Sequence, residues 1–439
     1  MLRFPFDKLL VVMLLTIGMG LQAQEVHINS HKEAFELALE QNLDLQNLML
    51  NEQYSELEHK QNKSYRLPTI SGTFSNQRNL DLATTPLPAE IFGGEPGTTI
   101  NAQFGQEYTI NAGISITKQF FDKRSKLQAK AAKLNVDRSR LEQELFEELL
   151  YEQVFLYYYT ALIATKAIEL GEKDLQSASQ ITELTREKYK QGLLDASAEI
   201  STAINENKIA QGLNANKQLQ QQCTVELKKL LGLKPAQKLV LTGKVDYDLP
   251  EPLLNQSLQE DKALATTQME VDQADLQVRM NKAALLPTLS MTTYYGRQQF
   301  RDNLGLGLSS EDWTPFSYVT LNLNVPIFSG FKNKQEIRQS RISHEISLND
   351  QRQQQQESQL NDELLISNYN LSLRDAALSK ETFDLYKKNV ELSSQRFEEG
   401  LISLDAHLST FEDYIKAENA YLNSLSTLYT HYSQIEYRL

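Results

Sequence analysis

The chain contains few of the residues that break helices or form disulfide cross-links. Its 439 residues include one cysteine, 11 prolines and 18 glycines. A single cysteine excludes a disulfide framework within one chain, and Cys223 lies in a Gln- and Lys-rich stretch where we expect an ordinary helical residue. Because proline and glycine are the usual helix breakers, their scarcity favours long helices.

Long hydrophobic runs are confined to the N-terminus. Arg3 and Lys8 precede an apolar segment at 9–21 and then Ala23, which is the order of a signal peptide. We predict a signal peptide at 1–23, since about 13 apolar residues are too few for a membrane-spanning helix, which needs about 20. No run of about 18 apolar residues follows. Any membrane insertion therefore has to use β-strands, in which apolar and polar residues alternate.

Positive charge and reactive side chains are also scarce. The chain has 57 Asp and Glu against 44 Lys and Arg, a net charge of −13. This acidity excludes nucleic acid as the expected partner, because phosphates repel acidic surfaces. The six histidines show no ligand spacing with one another or with the cysteine, so we predict no metal site and no cofactor. We find no elbow-type serine motif and expect a protein that is not an enzyme.

The sequence contains one long pattern of residues that occurs twice. The segment KYKQGLL at 188–194 recurs as RFEEGLI at 396–402, with glycines 400 − 192 = 208 positions apart. LPTIS at 67–71 recurs as LPTLS at 286–290, which is 286 − 67 = 219 positions later. Such a period is far too long for a solenoid. We therefore predict duplication of a half-protein, with repeats at 24–255 and 256–439.

Both repeats are predicted to contain the same elements in the same order. A first helix, capped in the first copy by Ser30 with Glu33, precedes a β-hairpin, a long helix and a return helix. The predicted bounds are 67–120 and 286–328 for the hairpins, 122–191 and 331–399 for the long helices, 193–232 and 401–438 for the return helices, and 233–255 for an irregular equatorial segment. Each long helix would extend about 100 Å at about 1.5 Å per residue. That length is typical of antiparallel coiled coils rather than of one globular core.

The strands alternate between apolar and polar residues. In the first repeat Ile114 and Ile116 flank Ser115, and in the second Leu321 and Leu323 flank Asn322. The helices leave the strands by their ends and cannot cover the apolar face, so we predict that this face meets lipid and the polar face lines water. Four strands cannot close around a lumen, and an oligomer is expected to share one barrel. The residues predicted to form an aromatic girdle at the membrane interface are Phe120, Phe121, Trp313, Phe316 and Phe328.

These segments together resemble the TolC family of outer membrane efflux proteins. The similar segments are SHKEAFELALEQNLDLQ at 30–46, both LPT strand starts, VPIFSGFKN at 325–333, LKKLLGL at 227–233 and both Gly-Leu segments. The resemblance covers essentially the whole mature chain. It implies a mostly α fold of duplicated helical hairpins, an α-barrel, with four β-strands per chain in a trimeric outer membrane β-barrel of about 12 strands.

The resemblance also implies a function and partners. The homotrimer would be a passive exit duct of a tripartite efflux or type I secretion system, set in outer membrane lipid with its helices in the periplasm. Its partners would be a periplasmic adaptor (membrane fusion) protein and an inner-membrane pump of the RND or ABC type. The alternative is a periplasmic coiled-coil adaptor or scaffold without a pore, but a scaffold has no need of strands with one apolar face.

The resemblance places the hairpin tips at the two Gly-Leu motifs. Gly192 with Leu193 and Gly400 with Leu401 would end the long helices and dock the adaptor. Many family members have an acidic residue six positions after the tip glycine, where this chain has alanine. A solvated outer face is the alternative position for the nearest polar residues. The candidate pore-mouth residues are Asp195, Glu199, Asp405 and His407.

Overall fold

The structure is a computed structural model that describes residues 25–243, 245, 252–253, 258–259, 261–309 and 312–439. The predicted signal peptide lies outside these residues. The described helices are α1 (His31–Gln41), α2 (Leu43–Lys63), α3 (Lys123–Lys190), α4 (Ala196–Leu230), α5 (Lys262–Ala283), α6 (Lys332–Glu398) and α7 (Leu404–Glu436). The described strands are β1 (Glu25–Ile28), β2 (Thr69–Arg78), β3 (Thr84–Pro88), β4 (Thr99–Gln103), β5 (Tyr108–Phe121), β6 (Lys238–Leu241), β7 (Thr288–Arg301) and β8 (Thr314–Asn324).

The chain divides into two compact units, and each unit takes segments from both sequence repeats. The helical unit comprises the described part of Met1–Leu50 together with Leu141–Leu264 and Gln354–Leu439. The sheet unit comprises Asn51–Arg140 and Ala265–Gln353. Within the described ranges, no helix combines the length and the apolar character needed to cross a membrane.

The sheet unit is built on one antiparallel sheet with the strand order β2-β5-β7-β8. Residues directly opposite each other share a face, and the register aligns Ile70, Ile116, Thr293 and Val319 in one row across the four strands. The adjacent row, on the other face, is the threonine row Thr69, Thr117, Thr292 and Thr320. Val319, Leu321 and Leu323 are 67%, 64% and 64% exposed. The predicted apolar face therefore exists, and this chain leaves it largely uncovered.

The polar face of this sheet has a close approach between its two central strands. Gly113 of β5 lies opposite Gly296 of β7, and the ring of Tyr294 lies over the pair. Tyr294 stacks on Tyr318 with ring centroids 5.4 Å apart. Glycine is needed at both positions because a β-carbon on either one would collide with backbone atoms of the neighbouring strand.

The first helix of the chain is interrupted, although its sequence has no proline or glycine at the break. Asn42 separates α1 from α2 and is buried. Its side-chain oxygen accepts the Leu45 backbone N–H at 3.0 Å, and its side-chain nitrogen donates to the Leu230 carbonyl at 3.0 Å. Asparagine thus caps the second helix while it satisfies a carbonyl at the end of α4. The prediction of one continuous helix was wrong here because the partner of Asn42 is 188 residues away.

Two short strand pairs were also missed in segments predicted to be irregular. In the helical unit β6, within the segment 233–255, pairs in parallel with β1. In the sheet unit β3 and β4 form a small antiparallel pair inside the hairpin loop. The β1–β6 pairing contributes buried Ile28 and Leu239 to a cluster with Leu150 and Tyr158. The sequence does not reveal this pair, because four residues are too few to show a clear two-residue period and the partner strand is remote in the chain.

The C-terminus is fastened to α6 within the helical unit by Arg438. Its Nη1 and Nη2 lie 2.8 and 3.1 Å from the two carboxylate oxygens of Asp362. Nε and Nη2 also donate to the Gln259 carbonyl at 3.2 and 2.8 Å. The Arg438 side chain is 9% exposed and that of Asp362 is 29% exposed, so the guanidinium is largely buried while the carboxylate keeps some access to water.

We expect Arg438→Ala to lower the free energy of unfolding of the helical unit by about 2–4 kcal/mol, because it leaves the Asp362 charge and the Gln259 carbonyl without their donor. Denaturant unfolding followed by circular dichroism measures this. The control is Lys229→Ala, which removes a solvent-exposed i,i+3 pair with Glu226 in the same unit and should cost less than about 1 kcal/mol. Equal effects of the two substitutions would contradict the assigned role of Arg438.

Candidate hairpin tips and membrane-facing sheet

The two long helices end in the same local geometry. Gly192 has φ 73° and Gly400 has φ 76°, a left-handed conformation that glycine adopts without steric cost. At the first tip the N–H of Gly192 donates to Tyr189 and that of Leu193 to Lys188, both at 2.9 Å. At the second, the N–H of Gly400 donates to Phe397 at 3.0 Å and that of Leu401 to Arg396 at 2.8 Å. Both ends are therefore Schellman motifs.

The return helices begin with matched side-chain caps. Asp195 accepts the Ala198 N–H at 2.9 Å at the start of α4. Ser403 accepts the Ala406 N–H at 3.2 Å at the start of α7. Ala198 and Ala406, each six positions after a tip glycine, are thus the third residues of capped helices. Asp195 therefore caps the N-terminus of α4, a role that its sequence position alone did not reveal.

The structure brings the two tips together. Asp195 and Ser201 of the first hairpin and Leu404 and Asp405 of the second line one open cavity of about 540 Å³. Leu193 and Leu401 are each 68% exposed. Glu199 pairs with Arg186 at 3.1 Å (Oε1 to Nε) on its own hairpin. The tips therefore present two exposed leucines next to carboxylates.

His407 is not a pore-mouth residue, and that prediction was wrong. Its side chain is buried, with only 1% of the residue exposed. The ring stacks on Phe397 with centroids 5.4 Å apart, and Nδ1 lies 3.0 Å from the Ser393 hydroxyl. Burial lowers the pKa of His407, since desolvation disfavours the charged ring. The helix turns this position toward α6 and away from solvent.

Sequence reasoning also missed how the repeated basic–aromatic pairs are used. The Lys188 Nζ of the first tip lies 4.5 Å from the centroid of the Phe397 ring of the second. This cation–π contact joins the two hairpins just inside their ends. Lys188 and Phe397 belong to different copies of the repeated motif. The repeat was therefore the feature of the sequence that could have indicated a contact between the two hairpins.

The five residues predicted for the aromatic girdle lie in different surroundings. Phe120, Phe121 and Phe328 are exposed, and Trp313 is half-buried with its indole N–H donating to the Gly307 carbonyl at 2.9 Å. Phe316 lies opposite Gly296, on the polar face, where its ring packs against Tyr294. The prediction for Phe316 was wrong because strand alternation, rather than position near the strand end, decides the face.

Two carboxyl groups are buried side by side in the helical unit. Tyr414 Oη lies 3.2 Å from Asp174 Oδ1 and 2.9 Å from Glu418 Oε2. A hydroxyl has one proton to donate, so one of the carboxyl groups must supply the second. Burial raises the pKa of both Asp174 and Glu418, and the nearby charge of Asp174 raises the pKa of Glu418 further. This group was not predicted, because Asp174 and Tyr414 are 240 residues apart.

The chain is similar to known outer membrane channels. The family model described as outer membrane efflux protein matches residues 34–233 and 253–435. The crystal structure of the Campylobacter jejuni CmeC outer membrane channel matches with a TM-score of 0.72 at 16% identity, covering 92% of this chain and 84% of that one. The outer membrane protein VceC of Vibrio cholerae matches with a TM-score of 0.72 at 13% identity, covering 93% and 95%.

The open state of the Neisseria gonorrhoeae MtrE outer membrane channel matches with a TM-score of 0.70 at 15% identity, covering 92% of this chain and 87% of that one. No curated protein sequence matches the chain. At these identities the structural similarity shows the fold, and it confirms the predicted class of long helical hairpins with a four-stranded β part. The family match covers most of the chain and confirms the predicted family. The chain therefore belongs to the outer membrane efflux protein family, whose members are exit channels of the outer membrane with a helical part in the periplasm.

Proposed function

We propose that three copies of this chain form one passive exit duct, and that the duct works with a periplasmic adaptor protein and an inner-membrane pump of the RND or ABC type. The observation that carries the proposal is the four-stranded sheet, with an apolar face that the chain leaves uncovered and with β2 and β8 at its edges. Three such sheets joined edge to edge would leave no strand unpaired. Lipid would then cover the apolar face.

The hairpin tips are the proposed inner mouth of the duct. Leu193 and Leu401 would supply apolar contacts for the adaptor, and Asp195, Glu199 and Asp405 would set the charge of the mouth. The shared cavity and the exposure of both leucines support this assignment. The duct would move solute without chemistry of its own, so no catalytic residue is assigned. The two repeats, 24–255 and 256–439, would have arisen by duplication, which the equal Schellman motifs at both tips support.

Fractionation of cells tests the duct. We expect the protein in detergent-extracted outer membrane as an oligomer that dissociates on heating, and we expect its deletion to raise intracellular retention of an exported dye. A deletion strain complemented with the gene is the control. Recovery of the protein in the soluble periplasm would contradict the proposal, whatever the phenotype of the deletion strain.

Gly400→Val tests the tip. The substitution forces a β-branched residue into a left-handed conformation, at a cost of roughly 1–2 kcal/mol. It should therefore change the backbone conformation of the second tip. We expect export to fall several-fold while the heat-sensitive oligomer still forms. Dye efflux and unheated gel electrophoresis measure the two effects.

Gly212→Val is the matched control. Gly212 lies inside α4, has no atom within 4 Å of the added β-carbon and does not have a positive φ. Its replacement should change export little. Unaltered export in the Gly400 variant, or equal loss in both variants, would count against the tip as a docking element.

A further inference from the structure

Two helices of the sheet unit place five cationic side chains around one cavity. The cavity has a volume of about 370 Å³, and its cationic lining consists of Lys123, Lys126 and Lys130 of α3 and Arg279 and Lys282 of α5. We call this cavity the basic groove. Its floor includes the buried side chains of Leu127 and Ala283, and Leu286 lines one side. The groove therefore combines a cationic rim with an apolar base.

The spacing of these residues explains why they meet. Lys123, Lys126 and Lys130 are three and four positions apart, which puts them on one face of α3. Arg279 and Lys282 have the same spacing on α5. Since α3 starts just after a strand and α5 ends just before one, the two faces lie beside each other at the same end of their helices.

The positive charge of the groove is largely unneutralised by the chain. Arg279 pairs with Asp275 at 2.7 Å (Nη2 to Oδ2). Among the described residues, no ion pair involves the lysines at 123, 126, 130 and 282. The neighbouring Asp122 is occupied, since its carboxylate accepts the Arg124 N–H at 2.9 Å and the Ser125 hydroxyl at 2.6 Å. A cluster of four unpaired lysines in a chain of net charge −13 indicates an anionic ligand.

The groove lies where the lipid-facing strands end. β5 ends at Phe121 and α3 begins at Lys123, while α5 ends at Ala283 and β7 begins at Thr288. Exposed apolar side chains surround this junction, among them Phe120 and Leu285 at 55% and 49%. Aromatic side chains next to lysines are typical of the headgroup level of a membrane. In an outer membrane channel this is the periplasmic leaflet, since the helices continue into the periplasm.

We propose that the basic groove binds the phosphate headgroup of an anionic phospholipid of the periplasmic leaflet, with its acyl chains along the exposed apolar side chains of the junction. The exposed apolar side chains beside the groove favour a lipid over a free anion, because a hydrated phosphate gains nothing from contact with Leu285 and Leu286. The proposal rests on the outer membrane location and does not depend on a trimer, an adaptor or a pump. Its function would be to fix the depth of the sheet in the bilayer.

The test uses the purified full chain in a neutral detergent. Phosphatidylglycerol, phosphatidylcholine and inorganic phosphate are titrated separately, and binding is followed by native mass spectrometry and by thermal unfolding. We expect phosphatidylglycerol to bind and to raise the melting temperature, with much weaker effects of the other two probes. The preference should decline as salt is raised from 50 to about 500 mM, because salt screens lysine–phosphate attraction.

The variant Lys126→Gln/Lys130→Gln/Lys282→Gln removes three rim charges. Each lysine near an anionic headgroup is worth about fivefold in affinity, so we expect the variant to lose phosphatidylglycerol affinity by at least about tenfold. The control Lys32→Gln/Lys190→Gln/Lys388→Gln makes the same charge change at exposed helical positions outside the groove. It should bind phosphatidylglycerol like the unmodified chain.

Three outcomes would overturn the proposal. One is equal binding of phosphatidylglycerol and phosphatidylcholine by the unmodified chain. Another is equal stabilisation by inorganic phosphate, which would make the groove a simple anion site. The third is a groove variant that keeps its lipid but loses oligomer stability, which would mean that acidic residues of a second copy cover the groove. None of these readouts measures export. Failure of the lipid proposal would therefore not contradict the proposed duct, which the fractionation experiment tests separately.

Discussion

Gly296→Val is expected to abolish assembly of the outer membrane sheet and, with it, export. A β-carbon on Gly296 would overlap the carbonyl oxygen of Ala112 and would lie 2.7 Å from the Cα of Gly113. Both obstacles are backbone atoms of β5, so no rotamer change can relieve them. Overpacking in a sound core usually costs about 1–3 kcal/mol, and a collision with the neighbouring backbone in mid-sheet should cost at least as much.

Unheated gel electrophoresis of outer membrane extracts measures this effect as loss of the heat-sensitive oligomer. Gly72→Val is the matched control. Gly72 lies on β2 opposite Ile114, on the exposed apolar face, with no atom within 4 Å of the added β-carbon. Valine there should assemble normally, since it adds a lipid-facing apolar side chain to a strand. Normal assembly of the Gly296 variant would show that β5 and β7 can separate without loss of the sheet.

Glu418→Gln is expected to remove a pH dependence of stability from the helical unit. In the folded chain burial raises the pKa of Glu418 to about 8, from an ordinary value near 4.5. Between these values the folded state holds a proton that the unfolded state has released. The contribution of Glu418 to the free energy of unfolding is therefore greatest below about pH 4.5 and falls as the pH rises toward about 8. The slope approaches about 1.4 kcal/mol per pH unit for one proton.

Several charged groups face the pair and set the size of the effect. Lys173 favours the charged form of Asp174, and Lys166 favours that of Glu418. The adjoining cavity, about 330 Å³ in volume, is lined in addition by Lys208, Glu412 and Lys416. Lys166 and Lys173 moderate the rise in pKa but are more exposed than the two carboxyl groups, so desolvation of the carboxyl groups is the larger effect.

Hydrogen exchange of the helical unit between pH 5 and 8 measures the prediction after correction for intrinsic exchange rates. The unmodified chain should become less protected as pH rises, and Glu418→Gln should show a flatter profile with more protection at pH 8. Glu412→Gln is the control, because Glu412 is exposed and pairs with Lys208 at 3.4 Å. A Glu418 variant with the slope of the unmodified chain would mean that the shared proton does not contribute.

The predictions from sequence were strongest where periodicity is long. The helix predicted at 122–191 is observed at Lys123–Lys190, and that at 331–399 is observed at Lys332–Glu398. Strand alternation placed the Ile114 and Leu321 side chains on the apolar face, as the register shows. These features are local, since a run without proline and a two-residue period need no knowledge of distant contacts.

The failures have one cause in common. The break at Asn42, the strand at Lys238–Leu241 and the burial of His407 each depend on a partner that is remote in sequence or on a neighbouring helix. The same holds for Phe316, whose face follows from pairing with Gly296. A charged or polar residue near a tip has the same local sequence whether it caps a helix, pairs with a neighbour or faces solvent.

The sequence by itself determined the family, the long helices, the glycine ends of the hairpins and the two faces of the strands, because each is written in spacing along the chain. Only the tertiary structure decided that Asp174, Tyr414 and Glu418 are buried within hydrogen-bonding distance of one another and that lysines of α3 and α5 meet in one groove. Those arrangements arise from packing between segments more than 100 residues apart. The free energies of burial and of charge pairing depend on distances in space, and these distances cannot be read from spacing along the chain.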